Sequence, residues 1–130
     1  MKRQQLTLCL VITLLLVLTG CFAVQQQRLH PPTWIHGEWG MESDPEALSL
    51  TFTATTVIQR SGNVSLDLGE MYRISETVVT ETVTDALYSF TVPTETGYST
   101  MEFVRVDANT INWTMRTNVG TIGPSTLSRL

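Results

Sequence analysis

Few residues in this chain could do chemistry. His30 and His36 are its only histidines. With Glu38 and Glu42 they form the one grouping that suggests a metal. A zinc site needs three or four ligands at short, regular spacings. Here His30 precedes two prolines, and His36 and Glu38 lie two apart on one face of an extended segment, so no metal site is expected. Hydrolytic machinery is equally hard to assemble: no Gly-x-Ser-x-Gly elbow occurs. The carboxylate pairs Glu76/Glu81 and Asp44/Glu46 stand in polar stretches that read as solvated faces and turns. Lys2 is the only lysine, and the cysteines are Cys9 and Cys21. Without a nucleophile, base or ligand set in a working arrangement, the expectation is a non-enzymatic protein with no cofactor.

The two cysteines direct attention to the start of the chain. Met1-Lys2-Arg3 is basic, and Leu6 to Leu18 is uncharged and dominated by Leu, Val and Ile. That run is short for a membrane span, which takes about 20 apolar residues. A basic start, a short apolar stretch and small residues is the layout of a secretory signal peptide. The segment closes on Leu18-Thr19-Gly20-Cys21, which resembles the bacterial lipobox. The resemblance implies cleavage between Gly20 and Cys21 and lipidation of Cys21. With Phe22 rather than Asp after the cysteine, it also implies the outer membrane, with the domain facing the periplasm. Multiple acyl chains would make such an anchor effectively permanent, since each buried methylene contributes about 0.8 kcal/mol.

Loss of residues 1–20 changes the charge. The full chain carries 8 basic and 12 acidic residues; without Lys2 and Arg3 it keeps 6 against 12, a net charge near −6 in place of −4. A basic footprint for nucleic acid is absent, which sets that function aside. Cys9 leaves with the signal peptide and Cys21 is the lipid site, so the domain has no disulfide and relies on its apolar core.

Three parts follow: a signal peptide at 1–20, the lipidated cysteine with a flexible tether at 21–33, and a β domain at 34–130. The tether holds Gln25-Gln26-Gln27 and Pro31-Pro32, and at full stretch it spans at most about 40 Å. From Trp34 onward strand formers dominate and apolar residues alternate. Inward rows are expected at Leu48, Leu50, Phe52 and Ala54; at Val64, Leu66 and Leu68; at Ala86, Tyr88, Phe90 and Val92; at Met101 and Phe103; and at Ile111, Trp113 and Met115. The spacing predicts strands at 35–40, 48–54, 56–60, 64–68, 71–75, 77–84, 86–92, 99–106 and 109–116, with a last one from Leu127 to Leu130. Turns are expected at 60–63, 93–97 and 107–109. The fold class is all-β: a small antiparallel up-and-down barrel of about eight strands, with a β-sandwich as the alternative.

Gly37-Glu38-Trp39 opens the domain with a Gly-x-Trp inside the first strand, and is similar to the start of lipocalin-like barrels. That resemblance implies that Gly37 allows a close chain approach while the Trp39 indole closes one barrel end. Phe52, Phe90, Phe103 and Trp113 are then the candidates to line an apolar pocket. Two functions follow as expectations. One is an anchored barrel binding a small apolar ligand or envelope component. The other is a periplasmic protein-interaction module, an enzyme inhibitor or an envelope-assembly accessory factor.

Overall fold

Alternation of apolar and polar side chains becomes nine strands where it meets turn chemistry. The computed structural model describes residues 28–130; the expected signal peptide, the expected lipid site at Cys21 and the first part of the expected tether lie outside them. The strands are β1 (Gly37–Met41), β2 (Ser49–Phe52), β3 (Val57–Ser61), β4 (Val64–Asp67), β5 (Thr80–Val83), β6 (Leu87–Thr94), β7 (Gly97–Asp107), β8 (Thr110–Thr117) and β9 (Gly120–Arg129). They form one antiparallel sheet in the order β4-β3-β2-β1-β9-β8-β7-β6-β5, curled as a half-barrel in keeping with a small up-and-down barrel. A single sheet replaces the sandwich alternative. Among the described residues no helix is long and apolar enough to cross a membrane.

Register places the predicted rows on one concave face. Trp39 opposes Leu50, Phe52 opposes Val57, Tyr88 opposes Phe103, and Phe103 opposes Trp113. Leu50, Phe52, Tyr88, Phe90, Phe103 and Ile111 are buried there. Ala54 and Ala86, expected in these rows, fall in turns and are exposed. Val64 and Leu66 do share the concave side, opposite Ser61 and Gln59, yet both are exposed. They stand on the last strand of the sheet, where no further strand covers them.

The segment expected as strand 71–75 is instead a helix, α1 (Leu68–Ile74). Asp67 caps it by accepting a bond from the Glu70 amide, an acidic side chain stands in its first turn and a basic one in its last, and Leu68 and Tyr72 turn inward four residues apart. Gly69 is required by close approach: a Cβ there would collide with the Thr56 side chain. The long strand expected at 77–84 shortens to β5. The last strand, expected only from Leu127 to Leu130, is the longer β9, whose pairing with β8 shifts register between Trp113 and Met115.

The packed body also begins earlier than Trp34. Leu29, assigned by its polar surroundings to the tether, is fully buried in the core. Leu29→Ala is therefore expected to cost about 2–5 kcal/mol, as for other buried leucines, measured by urea unfolding. A loss below about 0.5 kcal/mol, the level of a surface position, would place residue 29 outside the core.

Candidate functional site

Gly37 and Trp39 lie in β1 and are held by Arg129 at the end of β9. Gly37 has φ +119°, and a Cβ there would lie 2.8 Å from an Arg129 guanidinium nitrogen, so no other residue fits without strain. Trp39 is buried and its indole N–H donates to the Ile35 carbonyl at 2.8 Å. The Arg129 guanidinium stacks over its ring, 4.2 Å from the centroid. Arg129 also donates to the carbonyls of His36 (2.7 Å), Trp34 (3.2 Å) and Ala108 (3.1 Å). One side chain thus ties the entry to β1 to the β7–β8 turn. Nothing in the sequence distinguishes Arg129 from the other five arginines of the described chain.

The strand order leaves β4 and β5 at opposite ends of the sheet, with a seam between them. α1 fills part of it, packing on β3 and β4 and sending Tyr72 against Phe90, ring centroids 6.3 Å apart. Residues 28–31 form a strap across the rest. Arg28 lies in a cleft beside α1, and His30 reaches β5. There the Glu81 carboxylate accepts three bonds: from the His30 amide (2.8 Å), from His30 Nδ1 (2.8 Å) and from the Tyr88 hydroxyl (2.8 Å). The Trp34 indole N–H adds a bond to the Thr84 carbonyl at 2.9 Å. Glu81, read from sequence as a solvated carboxylate, is largely covered, its side chain only 15% exposed. His30, read as a surface group, holds the strap to it. His36 bonds the Pro31 carbonyl instead, and no grouping among the described residues could hold a metal ion.

Of the four candidate pocket residues, Phe52, Phe90 and Phe103 pack with one another and with Tyr88. Phe52 and Phe103 meet edge to face at 4.9 Å, and Phe103 stacks on Tyr88 at 6.2 Å. They fill the interior as mutual partners. Trp113 differs: it is half-buried, and its indole N–H is buried with no acceptor among the described residues, a state that costs about 1–3 kcal/mol. Two surface clefts are lined by other residues. One, of about 290 Å³, lies between Arg28, Thr55, Asp67 and Arg73; the other, of about 470 Å³, lies between Glu38, Glu46, Ser49, Arg60, Asn63 and Leu130.

The hairpin tips make a further feature. The β6–β7 tip exposes Tyr98, and the β8–β9 turn exposes Val119, the most exposed large apolar side chain described at 88%. Asn118 joins the two tips by donating to the Thr96 carbonyl at 2.8 Å. The chain matches no protein-family model, no curated protein and no solved structure.

Tyr88 gives this site a pH signature. Burial, reinforced by its bond to Glu81, pushes the phenol well above its usual range, and burial raises Tyr72 as well. Both are neutral in the folded protein but ionise near pH 10 when unfolded. Their contribution is complete below about pH 10 and is lost above it, at up to about 1.4 kcal/mol per pH unit for each tyrosine. Urea midpoints should hold steady from pH 8 to about 10 and fall beyond. Tyr88→Phe should make that fall shallower; an unchanged slope would contradict the assignment.

Proposed function

We propose that the protein is a non-enzymatic bacterial lipoprotein, anchored through Cys21 at the outer membrane, whose barrel serves as a protein-interaction module in the periplasm. The observation that carries this reading is the filling of the concave face by the chain's own side chains. Trp39, Phe52, Tyr88, Phe90, Phe103 and Leu29 are all at most 2% exposed and occupy the space a barrel ligand would take. Exposed apolar groups held on preorganised tips are what a partner contacts: Tyr98 and Val119 fit that description, since Asn118 fixes their hairpins to each other. Strand β9 is the middle strand of the sheet, so the β8–β9 tip lies away from the seam that the strap crosses and remains accessible when the strap leads to a membrane.

A second reading, binding of a small apolar ligand, is favoured by one observation, the buried and unpaired indole N–H of Trp113. A ligand carrying a hydrogen-bond acceptor would satisfy it.

The two separate in one experiment. A photo-crosslinking residue at position 98 or 119 is expected to capture the same discrete periplasmic protein, and one at Thr82, on the outward face, to capture none. No discrete adduct at 98 or 119, with a stoichiometric small mass lost on denaturation in native mass spectrometry, would overturn the interaction reading in favour of the ligand.

A further inference from the structure

We infer that the seam side of the barrel, formed by β4, α1, the connector to β5 and β5 itself, rests on the lipid bilayer to which the chain is tethered. Two independent features converge on that side. The first is where apolar side chains stand exposed. Val64, Leu66, Met71, Ile74, Val78 and Val83 supply half of the twelve exposed large apolar residues described, within residues 64–83. Scattered exposed apolar residues are ordinary, but concentration on one side marks a contact surface.

The second feature is where the chain comes from. The strap lies on this side, with Arg28 in the cleft against Gly69 and Arg73 and His30 bonded to Glu81 of β5. Arg28 is seven residues from Cys21, a reach of at most about 25 Å when fully extended. Because Leu29 is buried and His30 is bonded, this short leash begins from a fixed point. A lipid at Cys21 holds the seam near the headgroups and leaves the β8–β9 turn, across the curl, pointing away. The inference rests on the anchor reading.

The chemistry of the surface suits lipid more than a charged partner. Arg73 pairs with Glu70 at 2.6 Å, Arg28 stands near Asp67 and Glu81 is taken up by His30 and Tyr88, which leaves Glu76 as the one acid of this side without a side-chain partner among the described residues. Contact is then apolar and weakly sensitive to salt.

The test uses the full lipidated chain in vesicles of phosphatidylethanolamine and phosphatidylglycerol, some carrying brominated acyl chains. Residues 22–130 contain no cysteine, so Ile74→Cys and Val119→Cys each give one labelling site for an environment-sensitive dye. Brominated lipid is expected to quench the dye at 74 severalfold more than the dye at 119, with little change on adding salt. Ile74→Asp should lower quenching of a dye at Met71→Cys severalfold while the protein still floats with the vesicles. Equal quenching at 74 and 119, or stronger quenching at 119, in protein that floats would overturn the inference and leave the anchor standing. Protein that fails to float would overturn the anchor, and the inference with it.

Discussion

A β-sheet that curls without pairing its two ends has a gap to close, and the rest of this molecule follows from how it does so. Strands β4 and β5 each pair on one side only, leaving backbone donors and acceptors and a strip of the concave face beside them. A closed barrel would satisfy these groups with a ladder. Here a seven-residue helix and an N-terminal strap take the ladder's place. The helix contributes Leu68 and Tyr72; the strap contributes Leu29 and a polar latch in which one carboxylate accepts three bonds. That latch explains an acid facing the interior of a small apolar core: Glu81 satisfies the Tyr88 hydroxyl and the His30 amide together.

The closure also determines the geometry of both ends. Beyond the strap, the entry to β1 is held by Arg129, which stacks on Trp39 and bonds two carbonyls of the entering chain. The same strap is the route to the proposed lipid anchor, so tethering and folding are coupled. The seam side carries the apolar surface and the leash. The β8–β9 tip with Val119 lies across the curl, joined through Asn118 to the β6–β7 tip.

Much of this architecture was legible in the residue order. Alternation identified the buried Leu50, Phe52, Tyr88, Phe90, Phe103 and Ile111 because a period of two is a strong signal wherever a strand is covered on one face only. At Gly37, the φ of +119° supplies the physical reason for a glycine. What escaped were features made by distant partners. Helix α1 has only two inward residues, too few for a helical stripe to stand out from Tyr and Ile that also favour strands. Leu29 is one apolar residue amid Gln, His and Pro, and nothing local marks it as core. Glu81 sits among threonines like any surface acid; only the fold brings Tyr88 and His30 to it. Val64 and Leu66 were placed on the correct face but expected to be buried, because sequence alternation carries no information on which strand ends the sheet.

The central claim, that strap and latch close the seam as an integral part of the fold, is tested most directly by native-state hydrogen exchange at the His30 amide, which donates to Glu81 at 2.8 Å. If the strap is integral, this amide exchanges only through global unfolding, with a protection free energy and denaturant dependence matching the amides of β6 and β7. Exchange at the rate of an exposed loop, while β6 and β7 stay protected, would mean that the strap opens independently and that the sheet stands without it.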